Sequence, residues 1–189
     1  MNFEVLEKFE WYNDPENVRF DIDAMTVYAK SDTDFWQSVH RGYKKDNGHF
    51  FFCRQNGDFQ LTLKWKIEDL KELAQCGVMV RIDERNWFKA SIEKETSDDF
   101  SVISSFTTLG HSDLAKSIIN GYNNEIWFRI VRVGDEFEVF FSVDGIAFVK
   151  FRMFYIKAFE DVKVGAYISS IQEDDFFAML SDINIEEPF

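Results

Sequence analysis

"CGVMVRIDERNWFKASIEKE", residues 76–95, is two alternating runs joined by the turn Asp83-Glu84-Arg85. Side chains two apart in a strand share a face. The first arm therefore sets Cys76, Val78, Val80 and Ile82 on one side, with Gln75, Gly77, Met79 and Arg81 on the other. Beyond the turn, Phe88, Ala90 and Ile92 continue the apolar set. Trp87, Lys89, Ser91 and Glu93 fall on the opposite side, with Arg81 across from them. An antiparallel hairpin with one buried face follows, and it predicts a sheet protein.

The rest of the chain repeats this pattern. Strand-like runs are predicted at 3–10, 18–30, 49–53, 58–67, 76–83, 86–95, 100–108, 125–133, 136–143, 146–153, 162–169 and 175–185. Turn residues separate them: "DNG" at 46–48, "NGD" at 56–58, "SDD" at 97–99, "GD" at 134–135 and "DG" at 144–145. The last two turns imply a three-stranded meander over 126–133, 136–143 and 146–152. In it Ile126, Phe128 and Ile130 oppose Trp127 and Arg129; Phe137, Val139, Phe141 and Val143 oppose Phe140 and Ser142; Val149 and Phe151 oppose Phe148, Lys150 and Arg152. Two short stretches carry helical spacing, "KIEDLKEL" at 66–73 and "SDLAKSII" at 112–119, the second opening on a Ser-Asp cap. A dozen short strands with tight turns predict an all-β fold, a two-sheet antiparallel β-sandwich. With two prolines and no linker-like segment, residues 1–189 are expected to form a single domain.

Composition narrows the partners. Acidic residues outnumber basic ones 34 to 21, for a net charge of −13, with no basic run longer than Lys44-Lys45, which argues against nucleic acid and anionic membranes. No apolar run reaches membrane-spanning length. "MNFEVLEKFEWYNDPE" at 1–16 does not read as an export signal, and Cys53 and Cys76 sit in apolar runs as small buried thiols. A cytoplasmic protein is expected. No cofactor is called for: the chain has neither a Gly-rich phosphate loop nor metal-ligand spacing. His40, His49 and His111 lie in no nucleophile motif; His49 reads as a packing residue near a turn and His111 as part of a loop cap.

The polar side of the opening hairpin mixes Trp and Met with Arg, Lys, Glu, Gln and Ser. Tryptophan beside paired charges suits a sugar-type ligand, the ring stacking on C–H surface while charged groups hold hydroxyls. A second reading stands beside it: Arg81, Lys89 and Glu93 form a salt-bridge network covering the sheet, with tryptophans filling gaps. In "TDFW" at 33–36, Thr33 and Asp34 cap a turn while Phe35 and Trp36 point to opposite faces.

Motifs running in order through the chain also resemble a known family. They are "WYNDPE" at 11–16, "TDFW" at 33–36, "DNGHFF" at 46–51, "DFQLTLKW" at 58–65, "QCGVMVRIDERNWFKASIE" at 75–93, "SD" at 112–113, "RVGDEFEVFFSVDG" at 132–145, "FR" at 151–152 and "VGAYISS" at 164–170. The chain resembles a concanavalin A-like jelly-roll family of unknown biochemical function that includes the regulator-of-enolase protein. The resemblance implies a concave sheet face, where related lectins and glycanases hold carbohydrate. It carries over Trp36, here as a rim residue, with Gln75, Arg81, Trp87, Lys89, Glu93, Asp113, Ser142 and Arg152. Leu73-Ala74 and Leu114-Ala115 depart from the family's usual Tyr-Asp and Trp-Ser.

The expectation is thus a non-catalytic module that binds a saccharide or small polar metabolite on that face, Trp127 joining the residues just named. Trp87 stacks, Arg81, Arg152 and Lys89 donate, and Glu93 and Asp113 accept. The alternatives are a protein-interaction role using the same face, and glycoside hydrolysis through Glu93. For hydrolysis, Glu95 has the spacing of a second carboxylate, roughly 6 to 7 Å away on one strand face.

Overall fold

The computed structural model describes residues 3–94, 99–157, 161–172 and 176–188. In chain order the elements are α1 (Phe3–Leu6), β1 (Glu10–Tyr12), β2 (Val18–Phe20), β3 (Met25–Ala29), β4 (Phe35–Trp36), β5 (Lys45–Asp46), β6 (His49–Gln55), β7 (Phe59–Lys66), β8 (Ala74–Asp83), β9 (Asn86–Lys94), β10 (Phe100–Thr108), β11 (His111–Ser112), β12 (Ala115–Ile119), β13 (Glu125–Val133), β14 (Glu136–Ser142), β15 (Val149–Tyr155), β16 (Val162–Ser170) and β17 (Phe176–Glu186). The first sheet runs β1-β6-β16-β8-β9-β10-β11, with β12 also paired to β10. The second runs β15-β14-β13-β7-β17-β3-β2, and β4 and β5 pair as a separate small hairpin. Every pairing between these strands is antiparallel. The fold is the two-sheet sandwich of the jelly-roll class.

The opening hairpin is β8–β9, with Gln75 opposite Glu93, Met79 opposite Lys89 and Arg81 opposite Trp87. Its inner side, Cys76, Val78, Val80, Phe88, Ala90 and Ile92, is fully buried between the sheets with Leu61, Leu63, Trp65, Phe128 and Ile130 of the second. Burying each such large side chain stabilises by roughly 1.5–3 kcal/mol. A one-residue slip would drive Lys89 and Glu93 into this layer, so the register is strongly specified. Phe154 of β15 stacks between Phe88 of the first sheet and Phe137 of the second, at 4.3 and 4.9 Å between centroids.

Several expectations need correction. Residues 3–6 are a helical turn, and the predicted strand there begins only at Glu10. The run 18–30 is two strands, split where Asp21 N–H bonds Ala24 O at 2.9 Å. "KIEDLKEL" ends β7 and continues as a turn, Ala74 N–H donating to Lys71 O. "SDLAKSII" forms β11 and β12 rather than a helix. Its Ser112 hydroxyl pairs with Thr107 Oγ1 and accepts from Gln37 N–H, while the Asp113 carboxylate accepts from Phe106 N–H, so neither side chain caps the residues that follow it. The meander's third strand starts at Val149 because Asp144 Oδ1 accepts from Ile146 and Ala147 N–H and prolongs the turn.

His49 joins the amino-terminal segment to β6. Its Nδ1 lies 2.7 Å from Asn13 O, and its Nε2 accepts from Lys30 N–H at 3.2 Å. Burial lowers its pKa below the ordinary 6.5, with Lys30 adding to that and Asn13 O, Glu16 and Asp14 opposing it. The folded state therefore binds fewer protons than the unfolded chain. Stability is full above pH 6.5 and is lost as pH falls from there through the folded value. In urea melts between pH 5 and 7.5, His49→Gln should flatten this loss; an unchanged slope would remove His49 as its source.

Candidate functional site

The outer side of the first sheet, expected to be an open hollow, is covered. The β4–β5 hairpin and its flanks, residues 31–48, lie across it. Local chemistry builds the cover: Asp34 O accepts from Asn47 and Gly48 N–H, Asn47 Oδ1 accepts from Asp34 N–H, and Thr33 N–H bonds Ser170 O on β16. Gly48 is required, since a Cβ there would stand 2.6 Å from the Phe35 ring. Phe35 then packs edge-on to Trp87 and Tyr167, both centroids at 6.4 Å, in a second apolar cluster with Phe50, Phe52 and Met79.

Two hairpin carboxylates meet the sheet's cations. Asp46 takes both terminal nitrogens of Arg81, at 2.6 and 2.8 Å, and the guanidinium also lies 4.4 Å from the Tyr12 ring centroid. Asp34 Oδ1 accepts from Lys89 Nζ at 2.6 Å, with both side chains buried. Lys89 also donates to Gln75 Oε1 at 3.0 Å, and Gln75 Nε2 donates to Glu93 Oε2 at 2.7 Å. Burial raises the Glu93 pKa, partly opposed by Gln75 and Lys89. Around this chain, the hydroxyls of Ser101, Ser105 and Ser169 are buried and make no hydrogen bond among the described residues.

The structure thus brings Gln75, Arg81, Trp87, Lys89 and Glu93 onto one face, as alternation predicts, but beneath the protein's own hairpin. Trp87 is completely buried and its indole donates to Glu84 O, so it cannot be the stacking platform. Arg81 and Lys89 already hold carboxylates. Glu95 lies outside the described residues. Trp127 and Ser142 are on the second sheet, facing away from the core: Trp127 sits by Lys64 and over Gly145, and Ser142 closes the turn onto Asp144 and Gly145. Period two shows which residues share a side, not which sheet owns it. Arg152 changes side because a register shift between Val139 and Phe140 sets it opposite inward-facing Val139. From there it reaches the first sheet, donating to Asp113 Oδ2 at 2.5 Å and Ser104 Oγ at 3.3 Å.

An open cleft of about 410 Å³ remains beside the cover. Trp36 and Asp113, both expected site residues, line it. With them stand Asp34, His40, Tyr43 and Leu114, which alternation could not find because they lie on the hairpin and in loops. The Trp36 indole donates to Val39 O at 2.9 Å, which fixes the ring's edge. Burial, with Asp34 and Asp32, pushes the Tyr43 pKa up to about 12, so its hydroxyl stays protonated and can donate. Asp34 and Asp113 are held from behind by Lys89 and Arg152. Both cysteines are free and buried. Among the described residues no helix is long and apolar enough to cross a membrane.

Comparison with known proteins adds a family and a fold. Residues 11–188 match the family model described as "Protein of unknown function (DUF1349)". "Regulation of enolase protein 1" of Saccharomyces cerevisiae is 33% identical over 127 residues, 66% of this chain and 62% of that protein. The match thus spans less than two thirds of that relative. A crystal structure of a functionally unknown protein from Saccharomyces cerevisiae superposes with TM-score 0.90 at 23% identity, covering 97% of this chain and 98% of that one. The carbohydrate binding module CBM66 from Bacillus subtilis superposes with TM-score 0.60 at 13% identity, over 94% and 95% of the two chains. These two likenesses are of fold.

Proposed function

We propose, from the premise that this chain belongs to the DUF1349 family of proteins of unknown function, that it is a cytoplasmic binding module for a saccharide or another small polar metabolite. The reading rests on the cleft, where a partly exposed tryptophan stands with two carboxylates, each fixed by a cation behind it. Trp36 offers an apolar ring to C–H surface, while Asp34 and Asp113 accept from hydroxyls. Among the described residues both groups that bond the Asp34 carboxylate do so at Oδ1, Lys89 Nζ and Phe35 N–H, so the second oxygen can serve a ligand. Acceptors held in place before binding lose little side-chain freedom on complex formation. The name of the fold neighbour, a carbohydrate binding module, agrees with this reading.

A second reading is a regulatory protein contact through the same region, which the relative's name suggests. Val39, Tyr43 and Leu114 favour it, being 41%, 37% and 60% exposed around the cleft. Hydrolysis through Glu93 has less support, because that residue is buried and its carboxylate accepts from Gln75.

Calorimetric titration with a panel of soluble mono- and oligosaccharides, run with a hydrolysis assay, tests the proposal. Binding without turnover is expected, and Trp36→Ala should weaken it at least tenfold while leaving the melting temperature within a few degrees. Silence across the panel, or a Trp36→Ala protein that binds as well as wild type, would remove the saccharide reading.

A further inference from the structure

The side chains of the Trp36 cleft accept hydrogen bonds far more readily than they donate them. Asp34 and Asp113 line it, and among its described lining residues there is no Lys, Arg, Asn or Gln. An ionised carboxylate only accepts. Two potential donors are already committed: the Trp36 indole N–H goes to Val39 O, and the Ser112 hydroxyl is engaged by Thr107 Oγ1 and Gln37 N–H. The Tyr43 hydroxyl and the His40 ring are left, and each can accept as well as donate.

Lys89 and Arg152 bond the two carboxylates without exhausting them. Among the described residues Asp34 Oδ2 carries no bond, since Lys89 Nζ and Phe35 N–H share Oδ1. The Asp113 side chain is 53% exposed, with Phe106 N–H on one oxygen and Arg152 on the other, and a carboxylate has about four lone-pair sites. Their charge is felt inside the cleft: after burial, Asp34 and Asp32 are what raise the Tyr43 pKa. The rings of Trp36 and Tyr43 add π faces, which attract a cation.

We propose, on the saccharide reading above, that the cleft takes an amine-bearing sugar, its protonated amino group donating to the carboxylates of Asp34 and Asp113 while its ring lies on Trp36. An ammonium brings three donors and asks for none in return. Its bonds to carboxylates are charge-assisted, about twice as strong as those of a neutral hydroxyl. A uronate or sugar phosphate would set anionic oxygens against the same two carboxylates and is excluded. An acetamido group needs a donor for its carbonyl and finds only Tyr43 and His40.

Calorimetric titration of the full chain at pH 7 with glucosamine, glucose, N-acetylglucosamine and glucuronate tests this, with ethylammonium as a sugar-free probe followed at the Trp36 indole resonance. Glucosamine should bind about tenfold more tightly than glucose, N-acetylglucosamine no better than glucose, and glucuronate about tenfold more weakly than glucose. Asp113→Asn, its folding verified by a melting curve, should bring glucosamine to within about threefold of glucose. Equal binding of the four sugars, or tighter binding of glucuronate, would overturn the amine preference and leave the saccharide reading standing. A Trp36 shift with ethylammonium but with no sugar would uphold the preference for an amine and remove the saccharide, and silence to every probe would remove both.

Discussion

Asp34→Ala should destabilise the protein by about 3–5 kcal/mol. The substitution leaves the Lys89 ammonium, only 3% exposed, with Gln75 Oε1 as its remaining acceptor among the described residues. An unpaired buried charge carries its full desolvation cost, and for that reason breaking such a pair is so much more harmful than replacing it. Asp34 also accepts from Phe35 N–H, so its loss loosens the residue that seats Phe35 on Trp87. Asp34→Ala/Lys89→Met should recover much of the loss, because the double variant removes both charges together. Urea unfolding at pH 7 measures all three proteins. A single variant within 1 kcal/mol of wild type would mean that the hairpin is not clamped in this way.

Gly77→Ala should be at least as damaging, costing more than about 4 kcal/mol or preventing folding altogether. A Cβ at this position would stand 1.8 Å from Ala90 O and 2.6 Å from Ser91 Cα. Both are backbone atoms of the paired strand, so no side-chain rotation relieves the overlap, and β8 would have to part from β9. The same peptide accepts the Trp65 indole N–H at 2.9 Å across the sandwich, so displacement would also break a link between the sheets. Circular dichroism melts would show the loss. A Gly77→Ala protein melting within a few degrees of wild type would contradict the close approach of the two strands.

The two residues illustrate what was legible in the sequence. Alternation in "CGVMVRIDERNWFKASIEKE" correctly sorted the hairpin into core and outer sides, because period two is a property of the strand itself. It registered Gly77 only as a position on the outer side, since the demand for glycine comes from a partner strand. Asp34 read as a turn cap, which it is, but its pairing with Lys89 spans 55 residues. Contacts at that distance are set by where a hairpin lands, and nothing in the local pattern of 31–48 indicates that it folds back across the first sheet. Alternation likewise grouped Trp127 with Ser142 correctly and could not tell that their side belongs to the second sheet. The shift beside Phe140 turned Arg152 inward, as one irregular residue inverts all parity beyond it. Arg81 and Lys89 do form ion pairs, but with Asp46 and Asp34 of the hairpin rather than with Glu93, which bonds Gln75. Of the expected site residues, Trp36 and Asp113 line the cleft beside the hairpin.

The hairpin covers the Trp87 side of the sheet through Phe35, Asp34 and Asp46, and the ligand site proposed above is the cleft at Trp36. Indole N–H resonances in a nitrogen-15 labelled sample distinguish the tryptophans during titration with the saccharide panel. On saccharide binding the Trp36 indole signal should move while those of Trp87 and Trp127 stay in place. A sugar-dependent shift at Trp87 with Trp36 unmoved would show instead that the hairpin lifts and the covered face is the binding site.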